Sequence, residues 1–237
     1  MSLHKPYAMS IKDRFPRLLH SYRYLRDQVL YLRRSKFLPQ INKMITPETT
    51  IISSNTFAGR ILQDLGREYN TPTVGLVFWA PDYIEFLSNL EHYLKAEIIF
   101  TEKSKYPEGD VARASWHHWY PIGLLDGKVE IHFLHYYSEK EAAEKWHRRA
   151  KRVNMNNLFI VGMDQNQASE EGIKQFDRLP YKNKIFFSRF TTDCNSNEFM
   201  PEFVNEIDGI GDPYKNGHLF YKHMVRHFNH FNIGAIS

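Results

Sequence analysis

An alternation of short apolar runs with amphipathic segments, from residue 50 almost to the C-terminus, constrains the fold more than any other feature of this chain. The apolar runs are rich in β-branched and aromatic residues, and the segments between them place apolar residues at the spacing of one helical face. Such alternation is typical of α/β domains, in which helices cover a largely parallel sheet. We therefore predict an α/β fold.

Local signals place the individual elements. Asp126-Gly127, between two apolar runs, predicts a β-hairpin, and Ser138 with Glu141 forms a capping box that begins a helix. The predicted strands cover residues 50–54, 73–79, 97–101, 120–125, 128–135, 157–163 and 184–188. The predicted helices cover residues 56–68, 81–94, 138–152, 170–178 and 216–231. The expected architecture is a largely parallel sheet covered by helices, with one antiparallel hairpin.

A basic amphipathic helix is predicted ahead of this domain. Residues 12–36 contain eight Lys and Arg against two Asp, and their apolar residues lie on one helical face: Phe15, Leu18, Leu19, Tyr22, Leu25, Val29 and Leu32. Either this apolar stripe docks on the domain with the arginines solvated, or the helix lies on an anionic membrane surface. Pro39 and Pro47 mark the connection, so residues 1–45 are interpreted as a helical extension and residues 46–237 as the α/β domain.

Composition limits the class of protein. A chain of 237 residues with 42% hydrophobic residues can bury one large core beside such an extension. Cys194 is the single cysteine, which excludes an intrachain disulfide, and no run resembles a signal peptide or membrane span, so a cytoplasmic protein is expected. Despite the formal charge of +4, no nucleic-acid-binding motif is present and no nucleic acid partner is expected.

Open α/β sheets bind ligands outside the carboxyl ends of their strands, and this rule nominates two loops. Ser54 and Asn55 follow the first strand, where they either bind phosphate at a helix start or act as an ordinary N-cap. Trp79 and Asp82 follow the second strand. Trp79 either stacks on a sugar or joins the core, and Asp82 either contacts the ligand or is placed in the first helical turn by the helix dipole. No Gly-x-Gly-x-x-Gly or P-loop motif supports a dinucleotide site.

His132 and His135 are the candidate catalytic bases, because imidazole titrates near neutral pH. A histidine beside apolar neighbours is, however, more often a structural residue. Within a strand the two side chains point to opposite faces unless the strand ends between them, so no metal site is expected.

Further polar and aromatic groups surround the helix that begins at Ser138. Tyr120, Tyr136, Arg149 and Asn154 would suit the lining of a site for a carbohydrate or nucleotide-sugar. Arg149 either binds a diphosphate or carboxylate or is simply a cation near a helix C-terminus.

These residues also carry a resemblance to a known family. Ser54-Asn55 with Gly59, Tyr120-Pro121-x-Gly123, Glu130-Ile-His132-Phe133-x-His135-Tyr136, and Glu141 through Trp146 to Arg149 and Asn154 resemble the bacterial exopolysaccharide-biosynthesis family built on an uncharacterised DUF1919-like domain. The similarity covers about residues 51–189 and implies a role in making or decorating a surface polysaccharide. Thr56 stands where relatives often carry cysteine, which argues against a cysteine nucleophile here.

Three functional hypotheses follow. The first is a glycan-modifying transferase that needs no cofactor beyond a nucleotide-sugar or acyl donor as substrate, with His132 or His135 as base and Ser54, Asn55 and Arg149 contacting the donor. The second makes Ser54 a nucleophile paired with either histidine, giving a carbohydrate esterase or acyltransferase, although no Gly-x-Ser-x-Gly motif is present. The third is a non-catalytic, membrane-peripheral partner of polysaccharide enzymes, recruited through residues 12–36.

Overall fold

The protein is described here by a computed structural model, which covers residues 16–207 and 209–233, with side chains from residues 21–207 and 209–229. The helices are α1 (Pro16–Ser35), α2 (Leu38–Met44), α3 (Phe57–Asp64), α4 (Ala80–Ser88), α5 (Leu90–Lys95), α6 (Pro107–Ser115), α7 (Glu139–Ala150), α8 (Glu170–Arg178) and α9 (Pro213–Ile233), with a 3-10 turn at Pro201–Phe203. The strands are β1 (Thr50–Ser53), β2 (Val77–Phe78), β3 (Ile98–Thr101), β4 (Ile122–Leu125), β5 (Val129–His132), β6 (Leu158–Met163), β7 (Asn183–Ser188) and β8 (Asn197–Phe199).

A parallel sheet in the order β1-β6-β7-β8 forms the centre of the fold. Every residue of β1 and β6 is buried, as expected for parallel strands covered on both faces. Alternate residues of these strands point to opposite faces of the sheet and pack into two separate hydrophobic cores. Ile52 and Ile160 pack with α4, α7 and α8, whereas Ile51, Phe159 and Val161 pack with α2, α3 and α9. The predicted α/β class with a parallel, helix-covered sheet is therefore confirmed.

A second, antiparallel sheet has the order β2-β5-β4-β3 and is built on the predicted hairpin. Asp126 and Gly127 both have positive φ, at 50° and 67°, which is the backbone of a tight hairpin turn. The strand β3 adds to one edge of this hairpin and β2 to the other. The hairpin thus belongs to a separate sheet, whose β2 and β5 end near the carboxyl ends of β1 and β6.

The predicted strand at residues 73–79 is reduced to two residues. Gly75 has a φ of 74°, which interrupts an extended backbone. The hydroxyl of Thr73 lies 3.0 Å from that of Thr71 and accepts a hydrogen bond from the backbone N–H of Ser53 at 3.1 Å. Side-chain hydrogen bonds thus hold this segment against β1 without a regular ladder.

Helix boundaries also differ from the prediction. The helix predicted at residues 56–68 ends at Asp64, and that at 81–94 is divided at Asn89 into α4 and α5. The C-terminal helix begins at Pro213, where the carboxylate of Asp212 accepts the backbone N–H of Tyr214 at 2.8 Å.

The helix α1 docks on the domain through its polar face. Arg34 is 3% exposed and pairs with Asp64 at 2.6 Å, and Asp64 also accepts the hydroxyl of Tyr221 from α9 at 2.9 Å. The apolar stripe points the other way. The docked-stripe interpretation is therefore wrong for its described members, whose side chains are solvent-exposed: Tyr22, Leu25, Val29 and Leu32.

No helix in the described part of the chain combines the length and the apolar character needed to cross a bilayer.

Candidate functional site

A cavity of about 790 Å³ lies where the carboxyl ends of β1 and β6 meet the ends of β2 and β5. This is the edge at which open α/β sheets place their ligands. Five of the predicted site residues contribute to its lining: Asn55, Trp79, Tyr120, His132 and His135. Other elements contribute residues that were not predicted, among them Arg60, Gln63, Tyr69, Trp116, Gln165, Asn166, Asp212 and Tyr214.

Asn55 joins the two parallel strands at this edge. Its amide nitrogen donates to the Gln165 side-chain oxygen at 2.9 Å, and its own oxygen accepts the backbone N–H of Phe57 at 3.0 Å. The hydroxyl of Ser53 accepts the N–H of Ala58 at 3.1 Å. The N-cap residue of α3 is Thr56, which forms no side-chain cap hydrogen bond, so neither Ser54 nor Asn55 is the N-cap. The side chains of Asn55 and Ser53 nevertheless pair with these two N–H groups, which are therefore not available to a phosphate.

Gln165 is fixed from its other side. Its side-chain nitrogen donates to the carbonyl of Ile210 at 2.8 Å, and the N–H of Ile210 donates to the carbonyl of Asp164 at 2.8 Å. Gly209 makes this approach possible, because its φ is 96° and a Cβ there would overlap the carbonyl oxygen of Asp164. The segment before α9 therefore closes one wall of the cavity.

Replacing Gly209 with alanine is expected to lower the free energy of unfolding by about 2 kcal/mol, since it combines a left-handed backbone with steric overlap. Gly66 provides a matched control, because it also has a positive φ of 64° but no atom lies within 4 Å of the place that a Cβ would occupy. Gly66→Ala should cost about 1 kcal/mol. Urea unfolding measures both, and equal losses would contradict the role given to the Asp164 contact.

His132 lies at the floor of the cavity and is held through both ring nitrogens. Its Nδ1 is 3.1 Å from the hydroxyl of Tyr120, and its Nε2 is 2.8 Å from Glu130 Oε1 and 3.1 Å from the indole nitrogen of Trp79. The side chain is 1% exposed. With both nitrogens engaged, His132 is positioned to shape the floor and leaves no free nitrogen for a substrate.

Glu130 anchors this floor although sequence reasoning assigned it no role. Its carboxylate accepts the hydroxyl of Ser104 at 2.5 Å and the backbone N–H of Lys105 at 2.7 Å, in addition to the contact with His132. Burial alone would raise the pKa of the Glu130 carboxyl, but the hydrogen bonds from His132, Ser104 and Lys105 hold it below its usual value. Glu130 is therefore a buried, charged carboxylate.

Asp82 supports the same network from behind and does not line the cavity. It accepts the backbone N–H of Glu130 at 3.0 Å and pairs with the ammonium group of Lys105 at 2.6 Å. Burial raises the pKa of the Asp82 carboxyl, and Lys105 opposes that shift. Asp82 thus joins α4 to the antiparallel sheet.

His135 reaches the cavity wall because β5 ends at His132 and the chain turns there. Both histidines therefore border one cavity. Partial burial of the ring, together with His117 and His118, lowers the pKa of His135. No described residue forms a hydrogen bond with its ring nitrogens, so a neutral His135 can accept a proton. Within the described ranges, no group of three His, Cys, Asp or Glu residues is placed to hold a metal ion.

Besides Asp82, three further predicted site residues, Tyr136, Arg149 and Asn154, lie outside the cavity lining. Arg149 donates to the hydroxyl of Tyr136 at 2.7 Å, and that hydroxyl donates to the carbonyl of Val74 at 2.6 Å, so both side chains support the wall from behind. Asn154 is at the opposite edge of the sheet, where its side chain donates to the carbonyl of Glu48 at 3.0 Å.

Ser54 is 7% exposed and is not part of the cavity lining either. Its backbone joins the sheets, since its N–H donates to Val161 at 3.2 Å and its carbonyl accepts the N–H of Phe78 at 2.8 Å. Among the described contacts, its hydroxyl makes none with His132 or His135. The arrangement that a serine nucleophile would require is not formed.

Comparison with known proteins gives a family and a relative. Residues 29–232 match the family described as "Domain of unknown function (DUF1919)", and the chain belongs to this family. It is also similar to a Haemophilus influenzae protein named "Uncharacterized protein", with 32% identity over 194 residues that cover 79% of this chain and 87% of that protein.

Proposed function

We propose that this protein is a cytoplasmic glycan-modifying transferase of exopolysaccharide or capsule biosynthesis, and that it holds a saccharide in the cavity at the carboxyl edge of the parallel sheet. The observation that supports this most directly is the lining. Aromatic side chains such as Trp116, Tyr69 and Tyr214 offer flat surfaces for sugar rings, and the amides of Gln63 and Asn166 offer donors and acceptors for hydroxyl groups.

The charge of the lining favours a neutral ligand. Apart from the histidines and tyrosines, the only lining residues with an ionisable side chain are Arg60 and Asp212. Arg60 lies over the ring of Tyr214 at 4.3 Å and 4.0 Å from the carboxylate of Asp64, so part of its charge is already compensated. A neutral sugar suits this cavity better than a diphosphate, which would require several cations.

His135 is the proposed general base. It would take the proton of a sugar hydroxyl whose oxygen attacks the donor carbon, while the donor's leaving group departs with the electron pair of the broken bond. The lowered pKa of His135 supports this role, because the neutral ring that accepts the proton is then the form present at neutral pH. His132, Glu130 and Tyr120 would position the floor against which the sugar lies.

The proposal is tested by ligand-dependent thermal stability of the purified protein. A panel of nucleotide-sugars, acyl donors and neutral oligosaccharides should contain compounds that raise Tm, since a ligand that binds the native state stabilises it. A panel without any stabilising compound would contradict the proposal.

Replacing Trp116 with alanine should weaken binding of the stabilising saccharide about tenfold, as measured by isothermal titration, because a stacking surface is lost. Trp119 is the matched control: it is 50% exposed and absent from the lining, so Trp119→Ala should leave the affinity unchanged. Equal losses in both variants would show that the saccharide binds elsewhere.

A further inference from the structure

The helix α1 exposes an apolar stripe on the side away from the domain. Tyr22, Leu25, Val29 and Leu32 follow one another at intervals of three and four residues, which places them on one helical face. Their exposed fractions are 63%, 63%, 48% and 66%. Monomeric proteins seldom leave such a row uncovered, so the stripe indicates a surface that binds something.

The opposite face of α1 is fixed to the domain. Arg34 forms its buried pair with Asp64, and Asp27 is hydrogen-bonded to the hydroxyl of Tyr214, a residue of the cavity wall. The stripe therefore cannot turn inward without breaking a buried ion pair, which is strongly unfavourable. Its exposure is a consequence of how the polar face docks.

Two arginines border the stripe. Arg26 and Arg33 follow Tyr22 and Val29 by four residues each, so they lie beside the stripe, and both are exposed. Arg33 pairs with no carboxylate in the described part of the chain, and Arg26 pairs there only with Asp27. An apolar row bordered by arginines has the composition of a helix that lies in the interface of an anionic membrane.

A second copy of the chain fits the stripe less well. A stable dimer buries about 800 Å² per partner through about 20–30 residues, far more than these four side chains supply. Pairing two copies through α1 would also bring the arginines of both helices together, and like charges oppose such an association.

We propose that α1 binds an anionic lipid surface through this stripe, with Arg33 contacting the lipid phosphates. Because α1 contacts Tyr214, the bound protein would hold its cavity close to the membrane. The inference does not depend on the proposed enzymatic function.

Vesicle co-sedimentation of the full chain tests it. We expect binding to vesicles of equal parts phosphatidylcholine and phosphatidylglycerol, little binding to phosphatidylcholine alone, and weaker binding as salt is raised. The stripe variant, Leu25→Gln with Val29→Gln and Leu32→Gln, should bind at least about tenfold more weakly, because it removes buried apolar area while keeping a helix-forming residue. Arg33→Gln should weaken binding about fivefold.

The matched control replaces three exposed apolar residues elsewhere, Ile99, Val111 and Ile207, with glutamine. It should bind anionic vesicles as the wild type does. The proposal is overturned if the wild type does not bind these vesicles, if the stripe variant binds them as strongly as the wild type, or if sedimentation equilibrium shows a dimer that the stripe variant abolishes without any vesicle binding. Thermal unfolding of each variant confirms that the domain remains folded.

Discussion

Replacing Glu130 with alanine is expected to lower the free energy of unfolding by about 3–5 kcal/mol, the range observed when one partner is removed from a buried charge network. Glu130 is 0% exposed. Its removal leaves three groups without their acceptor: the hydroxyl of Ser104, the backbone N–H of Lys105 and the ring of His132. The vacated volume adds a cavity beneath the floor of the site.

Urea unfolding measures this loss. If Glu130→Ala does not fold, Glu130→Gln provides a second test: its amide oxygen still accepts the N–H of Lys105, so a smaller but measurable loss is expected. Glu97 is an exposed glutamate at the same antiparallel sheet, and Glu97→Ala should change stability by no more than about 0.5 kcal/mol. A Glu130→Ala protein as stable as Glu97→Ala would refute the anchoring role.

Acid is expected to destabilise the protein through Glu198 on β8. Burial alone would raise the pKa of this carboxyl, but the hydrogen bonds from His223, His227 and Arg226 lower it from 4.5 to about 2. The side chain is 8% exposed, so solvent screens these contacts little. A carboxyl whose folded pKa is depressed stabilises the native state above its unfolded pKa and loses that contribution as pH falls through the folded value.

The shift corresponds to about 3 kcal/mol at neutral pH, of which about 2 kcal/mol should be lost by pH 3. The measurement is the free energy of unfolding in urea at pH 7 and at pH 3, for the wild type and for Glu198→Gln. The variant should be less stable at pH 7 and should show a smaller fall between the two pH values. The same fall in both proteins would remove Glu198 as the cause.

Local sequence signals predicted the elements that local chemistry determines. The hairpin at Asp126-Gly127 and the helix that begins at Ser138 are present, since a positive-φ turn and a side-chain cap require specific residues. The helix α6 and the strand β8 were missed. The sequence of β8, Asn197–Phe199, has only three residues, and its place at the sheet edge depends on pairing with the distant β7. Such pairing is not encoded locally.

The strand-end rule nominated part of the cavity lining. Asn55 and Trp79 were nominated because they follow predicted strands, and both line the cavity, whereas His135 was chosen for its imidazole and lay within a predicted strand. Applying the rule to β6 would also have found Gln165. Arg149 and Asn154 were chosen from their positions around α7, but helical spacing does not reveal which neighbour a polar side chain contacts. Arg149 donates to the hydroxyl of Tyr136, and Asn154 donates to the carbonyl of Glu48 at the opposite edge of the sheet.

The orientation of α1 could not be predicted because amphipathicity does not say which face docks. The docked face is determined by Asp64 of α3, which pairs with Arg34 and is itself held by the hydroxyl of Tyr221 from α9. These residues are distant from α1 in the sequence, so the apolar periodicity of α1 alone does not predict the contact. The buried ion pair turns the polar face inward and leaves Leu25 and Leu32 exposed.

A crystal structure of the protein with the most stabilising saccharide from the thermal panel would show whether side chains from both sheets form one saccharide site, as proposed. We expect a sugar ring in the cavity, in contact with Trp116 or Tyr214 and with a hydroxyl group within hydrogen-bond distance of His135. A saccharide bound only at another surface, with water alone between Asn55, Trp116 and His135, would contradict it.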